Sequence, residues 1–276
     1  MKYLKTNPLY VDCVYPAPLE KIMKEKMLNN KENISDKFTF INLSNACIMT
    51  NFGDSGMKYF QEQVDLHTEK RNKNLIFITH SINYYIDNIE TYGNLFFSVH
   101  ASENNNHISI PHTIINVGER VNYHKKTKLF SFQGAPTHKV RETLIKMFPK
   151  HCVSSMFFNN VRFVHIYKKM LTESIFSLCP RGTGVSSIRL WESMASGTIP
   201  VIISDGYKLP LENAIDWSSF SVIIKEKDVE KIPQILVSVP EQRRIEMMKS
   251  VINIYDEYFN YENLQKTIMI NLNELE

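Results

Sequence analysis

The sequence predicts an α/β protein made of two Rossmann-like halves with a ligand cleft between them. Three observations predict it. Short continuous apolar runs, such as LIFIT at 75–79 and IPVII at 199–203, have the length and β-branched content of strands buried on both faces. Runs with helical spacing alternate with them, the pattern of parallel sheets covered by helices. The alternation occurs twice, on either side of a polar stretch at 119–128 that carries Lys125, Lys126 and Lys128.

That stretch sets the expected boundary. The 276 residues divide into domains at 1–125 and 126–240, with a helical segment at 241–276. Residues 1–37 read as an irregular leader with one helix at 19–28. A strand follows at 38–43, then a helix at 57–69 with Phe60 and Val64 on one face. Strands are expected at 75–79, 95–99 and 108–110, the last stopped by Pro111. The second half opens with a strand at 129–132, ending in Gln133-Gly134-Ala135, and helices at 139–148 and 161–171. A strand at 175–178, a helix at 186–196 closed by Gly197, and strands at 199–203 and 219–224 complete the alternation. Residues 243–259 read as a long helix, with Ile245, Met248, Ile252, Tyr255 and Phe259 at helical spacing. Its aromatic end, Tyr255, Tyr258, Phe259 and Tyr261, is expected to dock on the first domain. The three lysines of the boundary are expected to be solvated.

Composition narrows the function. With 43% hydrophobic and 22% charged residues the chain is a folded protein, not a disordered one. A net charge of +3 argues against a nucleic-acid groove. No apolar run is long enough for a membrane-spanning helix, and the N-terminus lacks the apolar stretch of a signal peptide. Cys13, Cys47, Cys152 and Cys179 are scattered, which suggests reduced thiols in a cytoplasmic protein and no zinc site. There are 24 Lys but only 8 Arg, so each arginine repays attention.

In open α/β sheets the ligand lies beyond the carboxyl ends of the strands. The densest segment there is FSLCPRGTGVSSIRLWESMASGTIPVIISDGYKLP, residues 176–210. A strand runs into Pro180-Arg181-Gly182-Thr183-Gly184 and then into a helix starting near Ser186. Free N–H groups and the positive end of the helix dipole would suit a phosphate, and Arg181 adds a planar cation. By spacing alone, a plain strand-to-helix turn with a solvated Arg181 fits equally well. Within the helix, Arg189 and Glu192 share a face. They read either as a surface ion pair or as a diphosphate contact beside a carboxylate for sugar or ribose hydroxyls. The segment is neither a P-loop nor a G-x-G-x-x-G fingerprint, which disfavours a nucleotide triphosphatase or a dinucleotide dehydrogenase.

These residues resemble the exostosin family of glycosyltransferases. The resemblance runs through 176–182, then Ser187-x-Arg189-x-x-Glu192, Gly197, Pro200-Val201-Ile202, Leu209-Pro210 and Ile215-Asp216-Trp217. It continues through FSVII at 220–224, Glu226 and Asp228. Upstream, 129–135 and Arg141 resemble the opening of that family's second domain. The likeness covers roughly 108–240.

The resemblance implies a GT-B-like fold, with a nucleotide-sugar donor on the second domain and an acceptor on the first. It implies inverting transfer from a UDP-sugar to a glycan or polysaccharide hydroxyl. Xylose is the first choice of sugar, then glucuronic acid or galactose. The sequence contains no D-x-D motif, so a metal-free scheme is expected, with no cofactor beyond the UDP-sugar itself. Arg181, Gly182, Thr183, Ser187, Arg189 and Glu192 are the implied donor-binding residues, and Gln133, Gly134 and Arg141 the other wall of the donor site. Replacing Arg189 with Ala is expected to abolish transfer with little change in melting temperature.

A catalytic base is expected on the first domain. His80 follows the LIFIT strand, and Thr79-His80-Ser81 resembles a His-Asp element of the family with Ser81 in place of Asp. Asp54, in a glycine-flanked loop after the first strand, is an equal rival. His100 and His112 also lie near strand ends. Two alternatives stand beside transfer: a non-catalytic exostosin-like partner subunit, and a sugar-nucleotide hydrolase or epimerase on the same fold.

Overall fold

The computed structural model describes residues 95–274 apart from 105–106, 113, 115, 156–160 and 261. It also describes strands Lys2–Leu4, Phe38–Ile41 and Asn74–Thr79, and Glu62. The expected helix at 19–28 lies outside the described residues. So does the one at 57–69, except for Glu62, which is helical.

The chain forms two compact units. The first comprises 1–113, 208–211 and 264–276, and the second 114–207 and 212–263. The division falls at 113/114, twelve residues before the expected one. The expected C-terminal segment is itself split, with 241–263 in the second unit and 264–276 in the first. Among the described residues, no helix is long and apolar enough to cross a membrane.

The first unit holds a parallel sheet in the order β1 (Lys2–Leu4), β2 (Phe38–Ile41), β3 (Asn74–Thr79), β4 (Leu95–Ser98) and β5 (Ile108–Ser109). Its register pairs Thr39 with Leu75, Ile76 with Leu95 and Phe97 with Ile108. The leader is therefore not wholly irregular: residues 2–4 supply an edge strand against β2. So short a strand carries too few residues to show a period.

The second unit holds a second parallel sheet, in the order β10 (Val222–Ile224), β9 (Ile199–Ile203), β8 (Ser174–Pro180), β6 (Lys128–Gly134) and β7 (Cys152–Ser154). Its helices are α1 (Lys139–Met147), α2 (Val161–Glu173), α3 (Ile188–Ala195), α4 (Ile232–Ser238) and α5 (Glu241–Ile254). α6 (Leu264–Glu274) belongs to the first unit. Phe130, Phe132, Phe176, Leu178, Val201 and Ile203 line one apolar core with Leu144 of α1, Leu236 of α4 and Met248 of α5.

Three expectations of this half change. The strand expected at 219–224 shrinks to β10, because Asp216 caps a tight turn at Trp217–Ser219 by accepting from the Ser218 N–H at 3.0 Å. The long helix ends in a π-helical turn at Tyr255–Phe259. Tyr255 and Phe259 are buried in the second unit, where Phe259 meets Trp191 at 5.0 Å and Trp217 at 5.7 Å. These two residues are thus core to the second unit; Tyr261 lies outside the described residues.

Lys126 is the third. It is 8% exposed, not solvated. Its Nζ donates to the Thr172 carbonyl at 3.1 Å and to Thr198 Oγ1 at 3.0 Å, at the end of α2. A helix terminus leaves carbonyls without partners, and a cation there is favourable.

Candidate functional site

The second sheet ends in loops that converge at its carboxyl edge. After β8 the chain turns at Arg181, whose N–H donates to the Ile203 carbonyl of β9 at 2.9 Å. From α1, Arg141 donates to the carbonyls of Arg181 at 2.8 Å, Pro180 at 3.1 Å and Ala135 at 3.2 Å. One guanidinium so ties the loop after β6 to the loop after β8. Gly182 allows the approach: a Cβ there would lie 3.0 Å from Arg141 Nη2 and 3.2 Å from Thr137 Oγ1. Arg141 was expected to line the donor site. The structure engages it with three carbonyls, because its half-buried guanidinium lies between two loops whose backbone groups need donors.

The loop then passes exposed Thr183 and buried Gly184 to Ser187, the N-cap of α3. The Ser187 hydroxyl makes no cap bond. Three buried polar atoms at this edge have no partner among the described residues: Arg181 Nε, Ser187 Oγ and Gln133 Oε1. Gln133 is held by its amide nitrogen, which donates to the Phe163 carbonyl at 3.0 Å. Buried polar atoms without partners are rare, because each costs desolvation that nothing repays. Two donors and one acceptor are left at the place where the fold puts ligands. Gly134, beside Gln133, is buried and accepts from the Ser155 N–H at 3.1 Å.

Arg189 and Glu192 are both 3% exposed, so neither forms a surface ion pair. Arg189 Nε donates to Ser177 Oγ at 2.9 Å, and its Nη atoms reach the Gln133 and Ser131 carbonyls at 3.4 Å. The guanidinium lies over the Tyr167 ring at 4.7 Å. Glu192 accepts from the Asn116 N–H at 2.8 Å and from the Tyr167 hydroxyl. Burial, and then the Glu192 carboxylate, push the Tyr167 phenol well above its ordinary range, so it stays a donor. Arg189 is buried between α3, β6 and β8, since every residue of α3 after the first is buried.

Three more polar residues converge at the same edge, and sequence reasoning gave them no role. Glu226, after β10, brings Oε1 to 3.9 Å from Arg181 Nη1 and Oε2 to 3.8 Å from His138 Nδ1. Glu226 Oε1 accepts from the Asp205 N–H at 3.1 Å, and Asp205 Oδ1 accepts from the Glu226 N–H at 3.2 Å. The signal was positional: each of these residues stands within a few positions of a strand or helix boundary.

In the first unit, His80 and Asp54 lie outside the described residues. His100 and His112, at the ends of β4 and β5, meet edge to face at 5.4 Å. Nearby, His107 is pushed down to about 4, first by burial and then by Lys208.

The model of the exostosin GT47 domain matches residues 51–239. The chain belongs to the exostosin GT47 family. It is 40% identical over 92 residues to the exostosin-1 homolog of Caenorhabditis elegans, covering 33% of this chain and 24% of that protein. It is 31% identical over 126 residues to a probable glycosyltransferase of Arabidopsis thaliana, covering 46% and 27%. These matches span about a quarter of each relative's length. Among solved structures, Anabaena HepE in complex with UDP aligns with a TM-score of 0.47 at 9% identity, over 94% of this chain and 82% of that one. The pair of parallel Rossmann-like sheets gives this exostosin GT47 member a GT-B-type architecture.

Proposed function

We propose that this exostosin GT47 member is a glycosyltransferase that moves a sugar from a UDP-sugar to a glycan or polysaccharide hydroxyl, with inversion and without a metal. One observation carries the reading: buried Arg181 Nε and Ser187 Oγ have no partner among the described residues, at either end of the loop that leads into α3. A diphosphate supplies acceptor oxygens for both, and the α3 N-terminus adds its dipole. Family membership supports the same reaction class.

In this reading the acceptor oxygen attacks the anomeric carbon as the bond to the β-phosphate breaks. The charge that grows on the leaving diphosphate meets Arg181 and the first turn of α3. Arg189 acts from beneath, by fixing the ends of β6 and β8. Gln133 Oε1 is free to accept from a donor hydroxyl or a base N–H. The acceptor proton passes to a base, for which His80 and Asp54 are the candidates by sequence position, with His100 and His112 behind them. The compartment that goes with this reading is the cytoplasm. There Cys152 and Cys179 are free and buried, and burial pushes the Cys152 thiol up to about 12.

The test is a panel of UDP-xylose, UDP-glucuronic acid and UDP-galactose, with and without a glycan acceptor and with EDTA. UDP release that needs acceptor and survives EDTA supports the reading. No turnover with any donor would favour a non-catalytic partner subunit, and acceptor-free turnover a hydrolase or epimerase. Loss of activity in EDTA would overturn metal independence.

A further inference from the structure

We propose that Glu226 is a positioning residue that aims Arg181 at the donor diphosphate. The inference rests on the reading of Arg181 as a diphosphate contact. It starts from how unequally the two ends of Arg181 are held. Its backbone is fixed on both sides, by the Ile203 carbonyl at its N–H and by Arg141 at its carbonyl. Its side chain is long and 23% exposed, and its Nε has no partner among the described residues. A free arginine side chain carries about 2 kcal/mol of rotamer entropy, which a ligand would have to offset on binding.

Glu226 limits that freedom. Its carboxylate is 3.9 Å from Arg181 Nη1, close enough to attract the guanidinium but too long for a hydrogen bond that would saturate it. Arg181 is thereby held on one side while its remaining donors stay available. Glu226 can serve as a post because it is itself anchored. The reciprocal N–H to carboxylate bonds with Asp205, at 3.1 and 3.2 Å, lock the loop after β9 to the loop after β10. Groups from the ends of β8, β9 and β10 so meet at one carboxylate. A surface ion pair of convenience would need none of this bracing.

UDP binding to the full chain, measured by calorimetry, tests the role. Glu226→Ala is expected to weaken UDP about tenfold, the scale of one lost charge-assisted contact. Glu226→Gln keeps an acceptor for the Asp205 N–H but loses the charge that attracts Arg181, and is expected to bind UDP more weakly than wild type and at least as well as Glu226→Ala. In an Arg181→Met background, Glu226→Ala is expected to cost nothing further. Melting temperatures of all four proteins report folding separately. Two results overturn the inference and leave the site reading intact: Glu226→Ala binding UDP like wild type, or losing the same factor with and without Arg181. Undiminished UDP binding in Arg181→Met would overturn the site reading, and this inference with it.

Discussion

Arg141 Nε donates to the carbonyl of Arg181 at 2.8 Å, so one scarce arginine positions the backbone of another. The same guanidinium holds Pro180 and Ala135. Arg141→Lys keeps a charge but loses the planar fork that serves three carbonyls at once. We expect this variant to lose about 2–3 kcal/mol of stability and to bind UDP more weakly, because two or more buried carbonyls lose their donors. Chemical denaturation and calorimetry check the two effects. A variant with wild-type stability would show that the clamp is not needed.

Arg189→Ala is expected to lower the melting temperature, contrary to the expectation from sequence. The side chain fills buried space against Tyr167 and satisfies Ser177 Oγ. Removing it leaves a cavity and unpaired polar groups, for an expected loss of about 3–4 kcal/mol. Transfer activity should fall with it. Arg189→Lys restores the charge but not the stacked plane, and should recover less than half of the stability. An unchanged melting temperature in Arg189→Ala would show that the residue is not needed to hold the fold.

The fate of Arg189 shows what could be read beforehand. Strand and helix order in the second half was legible, because continuous apolar runs and helical spacing are local properties. The loop at 181–187 was legible too, since a strand, glycines and a helix start are adjacent in sequence. Burial of the polar face was not. Ser131, Gln133, Ser177 and Cys179 alternate with Phe130, Phe132, Phe176 and Leu178, a pattern that normally marks a solvated face. Here that face is covered by α2 and α3, and Ser131 and Ser177 are fully buried and serve Arg189. Such pairings join residues 12 to 58 positions apart. Glu226, though part of the family likeness, carried no role in the sequence for the same reason: Arg181 and Asp205 reach it only once three strand ends are side by side.

Gly197 offers a test of backbone constraint away from the site. It closes α3 with φ of +64°, the left-handed region that favours glycine. A Cβ there would also lie 3.0 Å from Ile252 Cδ1 on α5. Gly197→Ala is expected to cost about 1–2 kcal/mol from the left-handed conformation, plus the shift of Ile252. The double variant Gly197→Ala/Ile252→Val makes room and should regain part of the loss. If it regained none, backbone strain alone would account for the cost.

Lys126 predicts a pH dependence with a definite sign. Burial pushes its ammonium from 10.5 down to about 8 in the folded protein. Between those values the unfolded chain binds the proton and the folded chain does not. Stability from this group therefore rises with pH across that window. Below about pH 8 both states are protonated, and the full cost of burying the charge is present. The difference between the two values limits the effect to about 3 kcal/mol. Lys126→Met removes the titrating group and one polar partner of Thr198. The comparison is the unfolding free energy of wild type minus that of Lys126→Met, at pH 7.5 and at pH 10, which cancels the tyrosines, thiols and other lysines. That difference should move in favour of wild type at the higher pH. A constant difference would mean that Lys126 keeps its proton throughout, with the helix-end carbonyls of α2 offsetting the cost of burial.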